Sequence, residues 1–380
     1  MRPASLSAAL ETAIQIVSAA ARQHPADALL RKEFRTRRDL SPGDKAEVAH
    51  AVFSFFRWRG WLHGCSNADE QINKCLDLAK RFSQQPETFV DAELVDGVLP
   101  GWTKGEMEIT PALARSLQSE PKLWLRAKRG QGSTVASRLC DCRIFGPGAL
   151  SDIIEYRGGR DLFLTEEFHN GLFELQDLSS QAVGLICAPQ PRETWWDACA
   201  GEGGKLLHLS ELMENRGLIW ASDRALWRLQ RLKRRTARAR VFNYRAVSWN
   251  GGAKLPTKTK FDGVLVDAPC SGSGTWQRNP DGRWTTTPED VKELSEIQKQ
   301  LLANVAPALK PGGKLIYAVC SLMRSETTVV AQAFEEDGGN FEPLEFPNPL
   351  DPHSPRAAQL TLQPHTFGGN GMFVAAWKRK

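Results

Sequence analysis

The chain has 380 residues, too many for one small core, which calls for two or three domains. Its hydrophobic fraction of 41% suits a folded soluble protein, and its net charge of +5 is compatible with a polyanionic partner. Eight dispersed cysteines exclude a disulfide framework, and Cys140-Asp141-Cys142 has the wrong spacing for a zinc knuckle, so no metal is expected. With neither a signal peptide nor a run long enough to span a bilayer, a cytoplasmic monomer without membrane contact is the expectation.

Residues 1–85 read as helices. Leu6, Leu10, Ile14 and Val17 recur at helical spacing, and Ser41-Pro42-Gly43-Asp44 opens a helix carrying Val48, Val52 and Phe56. Residues 86–120 hold Pro86, Pro100 and Gly101 and read as a looser linker. Residues 121–171 suit a small α+β module, with a strand at Leu123-Trp124-Leu125-Arg126, a helix from Ser133 to Leu139 and a turn at Gly158-Gly159. Over 172–380 apolar strand, Gly-rich turn and helix repeat, which implies an α/β fold with a mostly parallel sheet.

Within that last stretch, Trp195-Trp196-Asp197-Ala198-Cys199-Ala200-Gly201-Glu202-Gly203-Gly204-Lys205 places an acid and three glycines between a strand and a helix near Leu206. Such glycines let backbone approach a ligand at a helix N-terminus. The next strand, Gly217 to Ala221, ends at Ser222-Asp223, where a carboxylate suits a ribose diol. An adenosine-bearing methyl donor fits as well as a nicotinamide, and no P-loop ending is present.

Two cysteines follow apolar strands: Cys270 in Asp267-Ala268-Pro269-Cys270-Ser271-Gly272 and Cys320 in Tyr317-Ala318-Val319-Cys320-Ser321. Most free cysteines are small buried hydrophobes. Two thiols and a carboxylate at strand ends also supply what cytosine C5 methylation needs. A thiolate adds at C6 and turns C5 into an enamine carbon, an acid assists at N3, and a further group aids release.

These motifs together resemble the Sun-type (NOL/NOP/Sun, RsmB-like) family of RNA cytosine-C5 methyltransferases, over about Pro121 to the C-terminus. Arg278-Asn279-Pro280-Asp281-Gly282-Arg283-Trp284, the helix with Gln298, Leu301 and Leu302, and Gln176-Asp177-Leu178-Ser179-Ser180-Gln181 add to the likeness. The helical start resembles a NusB-like domain and the middle a small RNA-binding module. The resemblance implies a Rossmann-like class I methyltransferase domain using S-adenosyl-L-methionine. It implies that Asp197, Ala198, Cys199, Ala200, Gly201, Gly203, Gly204, Lys205, Asp223, Arg224 and Asp267 hold the cofactor. It further implies Cys320 as nucleophile, Cys270 in product release and Asp267 on the cytosine edge. In DNA cytosine methyltransferases the Pro-Cys cysteine attacks instead, which leaves a competing assignment.

The same likeness favours ribosomal over transfer RNA as partner, with a catalytically weak ribosome-assembly factor as the alternative. Departures keep that alternative open. Glu202 and Leu206 replace Pro and Thr, Val319 replaces Thr, Val241 to Arg245 lacks an acid, and Asn370 replaces Asp. Lys205 reads either as a partner of the donor's carboxylate or as a turn residue, and Arg278 and Asp281 either pair or line the base pocket. Arg224 to Arg240, Arg31 to Arg38, and Arg57 with Arg59 form basic patches suited to phosphates or simply to solvent. Trp249, Trp276 and Trp284 are candidates to stack on a flipped base, or core residues.

Overall fold

A computed structural model of the chain describes residues 8–337 and 339–380, so Leu6 lies outside the described residues. The chain divides into two compact units. One takes in the chain up to Pro121 together with Ser271–Val291, and the other takes in Lys122–Cys270 and Lys292–Lys380.

The first unit is helical, with helices at Ala8–Ala19, Ala26–Thr36, Pro42–Trp58, Ala68–Gln84, Asp91–Gly97 and Pro111–Gln118. Ser41 caps the third as expected: its hydroxyl accepts from the Asp44 amide at 3.1 Å, and Asp44 accepts back from the Ser41 amide at 2.9 Å. The first helix is rotated from the expected face. Ala9, Ala13 and Ile16 are innermost, while Leu10, Ile14 and Val17 flank the core. Small residues let helices approach closely, which apolar periodicity alone does not report.

The stretch 86–120, read as a linker, is largely helical and buries Leu94, Val98, Leu113 and Leu117. Pro86 and Pro111 stand at first helical positions, where a missing N–H costs nothing.

Residues 271–291 interrupt the second unit in sequence and group with the helices. The Asp281 carboxylate accepts from the Ala26 amide at 2.8 Å, where the helix Ala26–Thr36 has no side-chain cap of its own. Trp284 donates to the Phe56 carbonyl at 2.7 Å. Arg283 is wholly buried and donates to Gln118 Oε1 at 3.0 Å, to the Trp276 carbonyl and to the Leu117 carbonyl. Burial, with Arg57 nearby, pushes its pKa well down, yet three acceptors depend on its fork. Arg283→Ala leaves them without a donor and opens a void, and is expected to cost about 3 kcal/mol or more. Thermal unfolding followed by circular dichroism measures this; an unchanged Tm overturns it.

In the second unit, β1 (Leu123–Ala127), β2 (Cys142–Ile144), β3 (Ile153–Tyr156) and β4 (Phe173–Leu175) form an antiparallel sheet in the order β2-β3-β1-β4. The fourth strand lies beyond residue 171, where the sequence reading ended the module. The larger sheet holds β5 (Thr194–Asp197), β6 (Leu218–Asp223), β7 (Tyr244–Ser248), β8 (Phe261–Asp267), β9 (Leu309–Val319), β10 (Phe341–Pro343), β11 (Gln359–Leu362) and β12 (Met372–Arg379). Its order is β10-β12-β9-β8-β5-β6-β7, with β11 on β12. Strands β5 to β9 pair in parallel and the last three antiparallel. This is the expected α/β architecture. Trp195 and Trp196 are both fully buried because β5 is central and covered on both faces.

A buried ionic network holds the small sheet on the larger fold. Arg126 of β1 pairs with Glu211 and donates to Gln176 Oε1 at 2.7 Å. Glu174 of β4 accepts from Arg235, at 2.9 Å, and from Arg238. These two cations of the Arg224–Arg240 patch are committed inside the protein.

Candidate active site

The chain runs β5, β6, β7 outward to one side, then returns to lay β8 and β9 on the other side of β5. The carboxyl ends of β5 and β8 therefore flank the topological switch point, where open α/β sheets bind ligands. Asp197 closes β5 and Asp267 closes β8.

After Asp197 the chain turns through Gly201 (φ +55°) and Gly203 (φ +87°) into the helix Gly204–Leu212. A Cβ at Gly201 would meet nothing within 4 Å, so backbone there lies open to a ligand. A Cβ at Gly203 would strike Leu232 at 2.9 Å. Asp223, at the end of β6, accepts from the Gly201 amide at 3.0 Å and from the Ala225 amide at 2.8 Å. Those bonds orient a carboxylate whose remaining lone pairs suit a diol. Arg224 beside it is exposed.

Asp197 is fully buried, and its oxygens lack hydrogen bonds of normal geometry, with only a weak contribution from the Leu206 amide. Burial, then the charges of Asp267 and Asp223, push its pKa up to about 8 against the pull of Lys205. Between the usual aspartate range and about 8, the folded state holds a proton that the unfolded state has lost. Stability therefore falls as pH rises through that window, by at most about 1.4 kcal/mol per unit. Asp197→Asn is expected to flatten that decline and raise Tm at pH 8 in the absence of donor; melting curves from pH 5 to 8 check it. A buried carboxylate short of partners, an open glycine backbone and an oriented carboxylate fit a donor carrying a ribose and positive charge.

The two cysteines meet. Because β8 and β9 are parallel neighbours, their ends emerge together, with Asp267 opposite Ala318 and the Ala268 amide on the Ala318 carbonyl at 3.0 Å. The Cys270 and Cys320 sulfurs lie 3.3 Å apart, both half-buried. Lys205, on the first turn of the helix Gly204–Leu212, donates to Asp267 Oδ2 at 2.6 Å. Burial lowers the Lys205 pKa, but the charge and hydrogen bond of Asp267, then Cys320 and Asp197, outweigh it, so the net direction is upward. The ammonium stays charged through the physiological range. A cation, a carboxylate and two thiols thus share one sheet edge. This pairing is what the sequence reading missed, since it gave Lys205 no role with Asp267.

Cys199 differs from the pair: burial, then Asp197, Asp267 and Asp223, push its thiol far above the usual range, which keeps it protonated. Ala198 and Ala200 are buried beside it, and the Ala200 amide bonds the Ser222 carbonyl at 2.8 Å.

Several alternatives left by the sequence are decided by packing. Trp249 is core, 4.9 Å from Trp196 with its indole on the Gly252 and Lys254 carbonyls, and Trp276 is 1% exposed. Trp284 is taken up by Phe56 and Arg59. None of the three is a base-stacking platform. Arg57 is buried on Glu120 at 2.5 Å rather than presented to phosphate. Asp281 caps a helix. The segment Val241 to Arg245 that lacks an acid runs into the third parallel strand, Tyr244–Ser248.

The departures fall mostly outside the chemistry. Leu206 and Val319 point into the core, and Glu202 pairs with Arg231 at 2.7 Å. Asn370 acts through its backbone, whose amide donates to Asp177 at 3.0 Å and whose carbonyl accepts from Ser179 at 2.7 Å.

Residues 184–378 match the family model described as 16S rRNA methyltransferase RsmB/F. The chain is 34% identical over 333 residues to the probable ribosomal RNA small subunit methyltransferase B of Synechocystis, covering 84% of this chain and 73% of that protein. The likewise named Bacillus subtilis protein is 36% identical over 57% of this chain and 50% of its own length. A methyltransferase homolog from Pyrococcus horikoshii shares the fold, with a TM-score of 0.61 at 23% identity over 90% of this chain and all of that one. Among the described residues, no helix is long and apolar enough to cross a membrane, and no cluster of ligands is placed to hold a metal ion. The parallel sheet with its glycine turn at the switch point, the paired thiols and these matches lead to one conclusion: the chain belongs to the RsmB/F, Sun-type family of S-adenosylmethionine-dependent rRNA methyltransferases.

Proposed function

We propose that this protein methylates C5 of a cytidine in small-subunit ribosomal RNA through a covalent thiol adduct. The observation that carries the reading is the 3.3 Å approach of Cys270 and Cys320 beside the Lys205–Asp267 pair.

Bound S-adenosylmethionine supplies an electrophilic methyl carbon. Asp197, Gly201 and Asp223 would hold it, with Ala198 to Ala200, Gly203, Gly204 and Arg224 shaping the turn and its rim. Cys320, as thiolate, forms a bond to C6 of the cytosine. The ring electrons move toward N3, which takes up a proton passed on by Asp267, and the Lys205 ammonium stabilises the carboxylate left behind. C5, now an enamine carbon, takes the methyl group as the donor's carbon–sulfur bond breaks toward sulfur. Loss of the C5 proton to water and return of the N3 proton to Asp267 then restore the ring and expel the Cys320 thiolate, and Cys270 assists this release. Each step uses a group type suited to it. A base buried in a helix cannot reach the thiol, so the target is unpaired or flipped out.

RNA would reach the site along a basic, aromatic surface. The helix Leu226–Ala239 exposes Trp227 under Arg228 and Arg231, with Lys233, Arg234 and Arg240 also exposed. Such side chains bind phosphate and stack on bases without reading sequence.

The test is incubation with precursor small-subunit RNA and methyl-labelled donor, followed by nucleoside analysis. Labelled 5-methylcytidine is expected. Label in another nucleoside, or only in transfer RNA, overturns the reading. Donor binding without any transfer favours the assembly-factor alternative.

A further inference from the structure

Four fully buried polar side chains lie behind the two thiols: Gln298, Tyr317, Ser321 and Glu326. Gln298, on the helix Pro288–Val305, donates from Nε2 to the Pro269 carbonyl at 2.9 Å and to Glu326 Oε1 at 3.1 Å. Pro269 immediately precedes Cys270. Ser321, which immediately follows Cys320, donates to Glu326 Oε2 at 2.6 Å and accepts from the Met323 amide at 3.1 Å. The Tyr317 hydroxyl shares its proton between the Glu326 carbonyl at 2.6 Å and Gln298 Oε1 at 3.0 Å. One side of this network therefore grips the Cys270 loop and the other grips the Cys320 loop.

We infer that Gln298 and Glu326 are positioning residues that set the spacing of the two thiols and act on different steps. This inference rests on the proposed covalent mechanism. Backbone at Pro269, one residue before Cys270, and at Ser321, one residue after Cys320, lies past the ends of β8 and β9, so the loops need an anchor other than the sheet ladder. A buried network of charge-assisted bonds provides one, and it tolerates no partial satisfaction. Gln298 holds the Cys270 loop and governs release. Glu326, through Ser321, holds the Cys320 loop and governs attack. A misplacement near 1 Å suffices to cost about 10²-fold in a reacting geometry.

Single-turnover and steady-state assays on the full chain with RNA and donor separate these roles, with Cys270→Ala run in parallel. Gln298→Met keeps the side-chain volume and removes the donor. It should leave the first methyl transfer within about 3-fold, slow turnover by about 10²-fold and accumulate a protein–RNA adduct. Ser321→Ala and Glu326→Ala should slow adduct formation itself, without accumulation, and Glu326→Gln should restore part of that rate. A second measurement needs no RNA. A diazene oxidant such as diamide takes two electrons and two protons from the Cys270 and Cys320 thiols to form a disulfide. Peptide mapping should show that bond forming at least about 10-fold more slowly in Gln298→Met. Uniform loss of all rates with a lowered Tm, or unchanged rates and oxidation, overturns the assignment. If Cys270→Ala traps an adduct and Gln298→Met does not, the positioning role falls while the covalent mechanism stands. If Cys270→Ala traps none, the mechanism falls and takes this inference with it.

Discussion

Cys320→Ala is expected to abolish methyl transfer, and Cys270→Ala to leave a covalent protein–RNA adduct that survives denaturing electrophoresis. The two thiols stand 3.3 Å apart, so proximity cannot distinguish them, and the asymmetry must come from chemistry. Cys320 adjoins β9 directly, whereas Cys270 stands three residues beyond the end of β8 on a loop that can move with the product. Without that nucleophile C5 never becomes an enamine carbon, and the loss should be on the order of 10⁴-fold or more. Without Cys270, addition and methyl transfer proceed and release stalls. Labelled RNA shifted with the protein on a denaturing gel reads this directly. An adduct trapped by Cys320→Ala instead would sink the assignment and make Cys270 the attacking thiol, as in the DNA enzymes.

Asp267→Asn should lower kcat by roughly 10²–10⁴-fold while donor affinity changes little, because its part is proton delivery at the ring. Lys205→Met should lose about 10²-fold as well, since it removes the cation that holds Asp267 and stabilises its carboxylate once the proton has left. The two losses should fall short of additive in the double variant, because both act through the 2.6 Å bond between them. Steady-state kinetics on the three variants, with donor binding by calorimetry, decide the matter. Strict additivity, or a collapse of donor binding in Asp267→Asn alone, would place Asp267 in the donor pocket rather than on the base.

Local signals carried much of the site. Asp197 through Lys205, Asp223, Asp267, Cys270 and Cys320 each stand at a strand end next to a turn, and strand, glycine turn and helix leave a short-range pattern. The Ser41 cap was legible for the same reason, since its partner is three residues away. Burial of single aromatic residues was not. Trp249, Trp276 and Trp284 stand close to the motifs in sequence, yet each is held by core or helix partners that no neighbour in the chain announces. Pro86 and Pro100 read as loop breakers, but Pro86 opens a short helix, where proline is preorganised, and Pro100 immediately precedes one, and only packing distinguishes such uses from a loop.

The amino-acid order by itself determined the class of fold, the glycine turn after β5 and the candidate reactive groups, because strand and helix periodicity and turn chemistry are local. Tertiary structure alone decided which groups act together. Lys205 and Asp267 are 62 residues apart and the two cysteines 50 apart, and only the parallel register of β8 on β9 and the crossover at β5 join them. It likewise assigned residues 271–291 to the helical unit, through a buried arginine two of whose partners, Leu117 and Gln118, lie more than 160 positions away. Partner choice over such distances depends on strand register and side-chain direction, which periodicity does not encode.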